Sequence, residues 1–198
     1  MAKEARVCIH KDDISLPPPL LPIEGIKIFQ RKSYKDARGE FQELYKKETF
    51  ANEGVENLFD QDNLSFSSYG VLRGMHFQRE PYPQAKLVSV LQGEIFDVAV
   101  DIRPFSPTFK KWFGLLLSAD NRYQLYIPAG FAHGFCVTSP EGALVHYKAS
   151  NSYSPYHEAS FHYLDKEIAI LWPISSCILS SKDQQAPSFR DIEQRGLL

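Results

Sequence analysis

The sequence predicts an all-β fold, a sandwich or barrel with short peripheral helices. Aromatic residues make up 13% of the chain, including 14 Phe and 10 Tyr, and such side chains pack well on pleated strands. Short apolar or alternating runs recur at intervals of roughly 8–12 residues, which is typical of a sandwich or barrel. The 13 Pro and 11 Gly supply the many turns that such a fold needs. A length of 198 residues suits one domain.

The strands are predicted from these runs in chain order. Turn-forming residues separate several consecutive runs, as at Gln92-Gly93, 128–130 (PAG) and 140–142 (PEG). Short helices are predicted at 48–53 and near 181–185. The first 22 residues lack periodicity and end in a proline run, so we divide the chain into an N-terminal arm, 1–22, and a single domain, 23–198. The predicted strands are 26–29, 41–45, 59–66, 71–77, 87–91, 95–102, 112–117, 123–127, 135–137 and 143–147.

Composition excludes several classes of function. The formal net charge is −2 and the pI about 6.3, so no global field favours a nucleic acid or an anionic membrane surface. Apolar stretches are shorter than the ~18 residues of a membrane span, and the N-terminus is charged. We therefore expect a cytoplasmic protein. Cys8, Cys136 and Cys177 are widely separated, which indicates free thiols in a reducing compartment.

Two histidines, an arginine and a lysine lie in or beside the predicted strands. The run VLRGMHFQ holds Arg73 and His76, Lys86 follows it, and GFAHGF holds His133. Each histidine stands beside bulky apolar residues and a glycine, which indicates an imidazole at a pocket wall. Such a set suits removal of a proton from an anionic sugar substrate. The ordinary alternative stays open, because each histidine taken singly could be a hydrogen-bonded core residue.

Strict alternation along this strand predicts that His76 and Arg73 point to opposite faces, unless a bulge intervenes. On that interpretation Arg73 would bind away from His76, across a subunit boundary. Metal binding is a further alternative for histidines in a small β-barrel. A second ligand on the same strand face would have to stand at Gln78, so we expect no metal.

Several distinctive strings stand in order between about residue 26 and about residue 187. The strings are Arg38-Gly39, RGMHFQ, the QAKLV that contains Lys86, GEIFDVAVDIR, SPTF, IPAGFAHGF, Tyr147-Lys148 and Ser181-Lys182-Asp183. Together they resemble the dTDP-4-dehydrorhamnose 3,5-epimerase family. The resemblance implies a cupin-type jelly-roll barrel, usually a homodimer, that acts on a nucleotide-linked 4-keto-6-deoxy sugar with neither a metal nor an organic cofactor.

The resemblance implies four catalytic residues. His76 matches the general base, and Asp183 matches the carboxylate that fixes its tautomer and raises its basicity. Tyr147 matches the acid that returns a proton from the opposite side of the sugar ring. Lys86 matches the cation that stabilises the enolate oxygen. Read singly, Lys86 could instead be a surface lysine and Tyr147 a packing residue.

The resemblance also implies six substrate-binding residues. Arg38 and Arg73 match positions that hold the diphosphate, a role suited to the guanidinium fork, although Arg38 beside Gly39 could be a solvated turn. The other four contact sugar or base and are His133, Glu43, Gln61 and Asn63. The sequence departs from the family after Asn151, where Ser152 and Tyr153 stand in place of two adjacent tyrosines.

The leading hypothesis is therefore a cofactor-independent epimerase that inverts C3 and C5 of dTDP-4-keto-6-deoxy-D-glucose through an enolate, as in the route to dTDP-rhamnose. Three alternatives remain: an epimerase that inverts one carbon or uses another nucleotide sugar, a non-catalytic sugar-nucleotide-binding cupin, and a metal-dependent cupin. Retention of base and acid argues against the second, and the missing second histidine against the third.

Overall fold

The computed structural model describes residues 23–198, which form two antiparallel five-stranded sheets, a two-stranded hairpin and three short helices. The predicted arm, 1–22, lies outside the described residues, and the division into arm and single domain stays a prediction. The elements are β1 (Lys27–Gln30), β2 (Ser33–Asp36), β3 (Gly39–Gln42), α1 (Lys47–Asn52), β4 (Gln61–Ser67), β5 (Leu72–Gln78), β6 (Lys86–Gln92), β7 (Glu94–Asp101), β8 (Trp112–Ser118), β9 (Tyr123–Ile127), β10 (Phe131–Val137), β11 (Ala143–Ala149), β12 (Glu158–Ser160), α2 (Ser181–Gln184) and α3 (Phe189–Gln194).

The two large sheets pack face to face as a jelly roll. The first sheet has the order β1-β9-β6-β11-β4 and the second β12-β5-β10-β7-β8, while β2 and β3 form the hairpin. Apolar side chains from both inner faces meet in one buried cluster, with Val88 and Val145 from the first sheet and Ile95, Phe113 and Phe135 from the second. The predicted all-β cupin-type barrel is therefore confirmed.

The C-terminal segment covers the outer face of the second sheet. Met75 and Phe77 of β5 point outward and pack with Phe161, Phe189 and Ile192. This cover explains why all seven residues of β10 are buried. No helix among residues 23–198 has the length and apolar character needed to cross a membrane.

All ten predicted strands overlap observed ones, but three elements were missed. β2 reads SYKD and is largely exposed, so it lacks an apolar pattern. β12 has three residues, too few for alternation to be visible. α3 begins at a capping box formed by Ser188 and Asp191, a signal that the sequence carried. β10 begins earlier than the predicted 135–137 because burial on both faces removes the alternation.

A bulge in β5 overturns the prediction that His76 and Arg73 face opposite ways. His76 pairs with His133 and Arg73 with Phe135, so two residues of β5 stand opposite Gly134 alone. The extra residue reverses the alternation, and Arg73 and His76 both face the space between the sheets. Strict alternation was the wrong assumption here.

Replacing Gly134 by Ala is expected to destabilise the fold by roughly 1–3 kcal/mol, because the bulge packs against this glycine. An added Cβ would lie 2.6 Å from Met75 Sδ and 2.9 Å from the carbonyl oxygen of Arg73. Urea unfolding would measure the loss. Adding Met75→Ala should not restore stability, because the backbone contact persists. Wild-type stability in the single variant would contradict this packing.

Candidate active site

Polar side chains from both sheets converge on one part of the space between them. On the second sheet His76 lies directly opposite His133. On the first sheet Tyr147 pairs with both Asn63 and Val88 across the strands. Since Val88 is in the inner core, Tyr147 and Asn63 share that inward face. The two sheets thus present separate polar walls to a common space.

His76 is bound to Asp183. His76 Nε2 lies 2.6 Å from Asp183 Oδ1, and Asp183 is 3% exposed. Burial alone would raise the pKa of Asp183, but the hydrogen bonds with His76 and Ser180 bring it below its usual value. Ser180, the N-cap of α2, holds the carboxylate by donating its hydroxyl to Oδ2 at 2.9 Å. An ionised Asp183 fixes the proton of His76 on Nε2 and leaves the lone pair on Nδ1.

A second histidine–aspartate pair lies beside the first. His133 Nε2 lies 2.7 Å from Asp97 Oδ1, and both side chains are buried. Burial lowers the pKa of His133 against the opposing effect of Asp97, so the ring is neutral at pH 7. Asp97 was missed by the sequence analysis. The signal was present, because Asp97 is the single charge within the apolar run IFDVAV.

Lys86 brings a cation to this space. Its Nζ lies 5.9 Å from the ring centroid of Tyr147. Burial lowers the pKa of Lys86 to about 8, while Asp97 and Glu158 act in the opposite direction. Within residues 23–198, Lys86 makes no ion pair shorter than 4 Å. The ammonium is therefore available to a developing negative charge.

Tyr147 stands on β11 of the first sheet, whereas His76 stands on β5 of the second. Burial raises the pKa of the Tyr147 phenol, and Arg73 opposes the shift, so the phenol stays protonated at pH 7. A base and an acid therefore approach the space from opposing walls. This arrangement can remove a proton from one face of a flat intermediate and return a proton to the other.

Three of the predicted binding residues line the same space. Arg73 Nε donates to Ser67 Oγ at 3.0 Å. Gln61 Nε2 donates to Asn63 Oδ1 at 2.7 Å, and the side-chain carbonyl of Gln61 accepts from the backbone N–H of Tyr153 at 2.7 Å. These groups present a cation and amides beside Tyr147.

Two predicted binding residues are not brought to this group. Arg38 lies in the β2–β3 hairpin, where its side chain is 90% exposed and pairs with Asp36. Glu43 is exposed one residue after β3. Their roles stay predictions.

The structure adds a polar cluster that the sequence analysis missed. Glu158 Oε2 accepts from the Tyr153 hydroxyl at 2.7 Å and pairs with Lys182 Nζ at 2.5 Å. Glu158 lies on β12, which pairs with β5 so that Ser160 stands opposite His76. Lys182 could have been found from the sequence, because it precedes Asp183 in the string that matches the family. Glu158 could not, because it lies in a stretch without a recognisable pattern.

The histidines do not form a metal centre in the described part of the chain. Residues 23–198 contain no group of three or more His, Cys, Asp or Glu side chains placed to hold a metal ion. His76 and His133 are each engaged by an aspartate instead.

Comparison with known proteins decides the family. The sequence profile of the dTDP-4-dehydrorhamnose 3,5-epimerase family matches residues 20–191. The chain belongs to this family. The dTDP-4-dehydrorhamnose 3,5-epimerase of Shigella flexneri is 49% identical over 172 residues, which cover 86% of this chain and 94% of that protein. The family is one of isomerases, and the chain is an enzyme of that class.

Two solved structures extend the comparison. The dTDP-6-deoxy-D-glucose-3,5-epimerase from Legionella pneumophila, in complex with dTDP-4-keto-L-rhamnose, is 47% identical with a TM-score of 0.83, covering 87% of this chain and 92% of that one. ChmJ from Streptomyces bikiniensis, a 3'-monoepimerase in complex with dTDP-quinovose, is 33% identical with a TM-score of 0.82, covering 91% of each chain. The family thus includes members described as inverting two carbons and one described as inverting a single carbon.

Proposed function

We propose that this enzyme inverts C3 and C5 of dTDP-4-keto-6-deoxy-D-glucose through an enolate, giving dTDP-4-keto-L-rhamnose. The observation that supports the proposal best is the placement of His76 with Asp183 on one sheet and Tyr147 on the opposing sheet, with Lys86 beside Tyr147. Relatives that share about half of the sequence carry this activity in their names.

The first step is removal of a proton from the carbon next to the C4 ketone. Asp183 accepts from Nε2–H of His76, so Nδ1 is the basic atom and takes the proton from C3 or C5. The electron pair of the C–H bond moves to the carbonyl oxygen, and the Lys86 ammonium stabilises the oxyanion. Both carbons flank the same ketone, so one base and one cation serve both centres in turn.

The second step returns a proton to the opposite face. Tyr147 approaches from the other sheet and gives its phenolic proton to the enolate carbon, so the C=O bond re-forms and the configuration inverts. His76 and Tyr147 then recover their starting protonation by exchange with solvent. No electrons are gained or lost, and the Lys86 ammonium supplies the positive charge that the enolate needs, so we propose that the reaction uses neither a metal nor an organic cofactor.

We propose that the nucleotide sugar is held by charge and hydrogen bonds from both sheets. Arg73 suits the diphosphate, because its guanidinium faces the same space as His76 and can contact phosphate oxygens bidentately. His133, neutral and held by Asp97, suits a sugar hydroxyl, and Gln61 and Asn63 suit sugar or base contacts. The net charge of −2 gives no support to a nucleic-acid or membrane partner.

We propose that the enzyme is a homodimer in which a second copy covers the outer face of β4. This strand is an edge of the first sheet, and Phe66 on its outer face is 55% exposed. Phe41 on the hairpin is 67% exposed. We favour a second copy of this chain as the partner that covers this surface, because its binding would also bring Arg38 and Glu43 of one chain toward the other chain.

Sedimentation velocity tests the dimer. The wild-type protein should sediment as a dimer, and Phe66→Glu should shift it toward the monomer, whereas Phe105→Glu, a matched change at a fully exposed phenylalanine outside β4 and the hairpin, should not. A monomeric wild-type protein would overturn the proposal.

We also propose a cytoplasmic location, because Cys136 and Cys177 are both free thiols, as is usual in a reducing compartment.

Deuterium exchange tests the reaction. The enzyme is incubated with fresh dTDP-4-keto-6-deoxy-D-glucose in deuterated water, and deuterium at C3 and C5 is measured by NMR and mass spectrometry. Label at both carbons, with the L-rhamno product, is expected. Label at C3 alone would favour the alternative of a monoepimerase, which the resemblance to ChmJ keeps in view. Bound dTDP without label would point to another nucleotide sugar first, and a binding role second.

Replacing Arg73 by Ala is expected to raise KM by roughly 10- to 100-fold with a smaller effect on kcat, because a charge-assisted contact to the diphosphate contributes about 1.5–3 kcal/mol. Binding of dTDP measured by calorimetry should weaken in parallel. Arg195→Ala, which removes an exposed arginine of the C-terminal segment, is the control. Normal dTDP affinity in the Arg73 variant would refute this role.

A further inference from the structure

Two cysteine thiols meet on the outer side of the second sheet. Cys136 Sγ and Cys177 Sγ lie 3.9 Å apart, and neither cysteine is in a disulfide. Cys136 is fully buried on β10, the middle strand of its sheet, and Cys177 is partly exposed. Neither thiol has a part in the proposed reaction.

Cys177 belongs to the irregular segment 172–180, which leads to α2, the helix that carries Asp183. The next residue, Ile178, donates its N–H to Gly70 at 2.8 Å and accepts from Leu72 N–H at 2.9 Å. These two bonds hold the segment beside the start of β5. Five residues further on, Asp183 reaches His76. The cysteine pair therefore links the segment that positions Asp183 to the strand that carries His133.

We propose that Cys136 and Cys177 form a reversible disulfide under oxidising conditions, which fixes the segment 172–180 to β10 and stabilises the enzyme. A disulfide has an S–S length of about 2.05 Å, so the sulfurs must approach by about 2 Å. β10 is bonded to a strand on each side, whereas the segment 172–180 has one isolated bridge. The segment, rather than the strand, supplies most of that movement.

Hydrogen peroxide is the oxidant that fits this partly covered site, because it is small. The Cys177 thiolate attacks one peroxide oxygen, the O–O bond breaks, and the released hydroxide takes up a proton to give water. The Cys136 thiolate then attacks the sulfur of the Cys177 sulfenic acid, the S–O bond breaks, and a second water forms. Two thiols lose two electrons and two protons, and the peroxide is reduced to two waters.

Because of the surroundings of the two thiols, the disulfide forms slowly and only under oxidising conditions. The two free thiols are the resting state of the enzyme. Burial raises the pKa of Cys136 to about 12 and also raises that of Cys177, so little thiolate is present at neutral pH. In a reducing compartment the pair stays as thiols. The bond would close a loop of 41 residues, long enough for a sizeable restriction of the unfolded chain.

The test uses the full chain in a Cys8→Ser background, so that only this pair can react. The protein is treated with hydrogen peroxide and compared with a sample treated and then reduced with dithiothreitol. Intact mass should fall by 2 Da, peptide mapping should join Cys136 to Cys177, and Tm should rise by roughly 5 °C or more. Reduction should reverse both changes.

Cys177→Ser in the same background is the matched variant, since it changes the partly exposed partner and leaves the buried one. It should show neither the cross-link nor the gain in Tm after peroxide. Sulfinic acid at Cys177 without a cross-link, or a cross-link that lowers Tm, would overturn the proposal. These measurements need no substrate, so they stand or fall independently of the epimerase reaction.

Discussion

Replacing His76 by Asn will lower turnover by roughly 10²- to 10⁴-fold, the usual contribution of a positioned general base, and will remove deuterium exchange at both carbons. The amide has no basic atom, so the proton next to the ketone stays in place. Binding of dTDP should remain within a few-fold of wild type, because the base acts on the sugar rather than on the nucleotide. Exchange and turnover are measured by NMR, and dTDP binding by calorimetry.

Asp183→Asn is a second variant, which distinguishes the positioning of the His76 ring from the stabilisation of its protonated form. The introduced amide is close in size to the carboxylate, but it can no longer stabilise the protonated imidazole that forms on removal of the proton. Turnover should fall by roughly 10²-fold or more, as expected for a carboxylate that holds a catalytic histidine and stabilises its protonated form. His162→Asn, outside the space between the sheets, is the control for both variants.

The outcome that would contradict the proposed mechanism is unchanged deuterium exchange in the His76→Asn variant.

Much of this site could be predicted from the sequence, because its chemistry lies in short strings. His76, Lys86, Tyr147 and Asp183 were all identified, and the structure brings them into one space. The resemblance was enough to identify these residues, because each of them lies within a string that matches the family. Their roles rest on the resemblance and on the proposed reaction.

The remaining parts of the site depend on features that the sequence pattern does not reveal. The orientation of Arg73 depends on one extra residue in β5, which shifts its pairing with β10 between His133 and Phe135. Asp97 is a single charge within an apolar strand, and its partner His133 lies 36 residues further along the chain, so no local pattern connects the two. Arg38 was identified by its motif, but its side chain is exposed in the single chain, and its role in binding the diphosphate stays a prediction that rests on the proposed second copy.

Replacing Lys86 by Met will lower turnover by roughly 10²- to 10³-fold, the usual effect of removing one group that stabilises an oxyanion, while the fold becomes no less stable. The thioether has about the length of the lysine stem but brings no charge to the enolate oxygen. Lys111→Met, at an exposed lysine beside β8, is the control. A Lys86 variant with normal turnover would show that the enolate is stabilised elsewhere.

The lowered pKa of Lys86 gives activity and stability opposite dependences on pH. The folded pKa of about 8 lies below the ordinary value of 10.5, so between these values the unfolded chain binds more protons than the folded one. The free energy of unfolding therefore rises with pH in that window, and below pH 8 the cost of burying the ammonium is fully present. Turnover is expected to fall over the same window, because the Lys86 ammonium that we propose stabilises the enolate loses its charge as pH rises above about 8.

Lys86→Met should remove both effects together. At pH 7 its free energy of unfolding should exceed that of the wild type by up to about 3 kcal/mol, and the difference should shrink as pH approaches 10. Its residual turnover should lose the decline that the wild type shows above pH 8. Urea unfolding and pH–rate profiles of both proteins measure these changes. A decline that persists in the variant would assign it to a group other than Lys86. That group would not be Tyr147, because burial raises the pKa of its phenol above the ordinary value of 10.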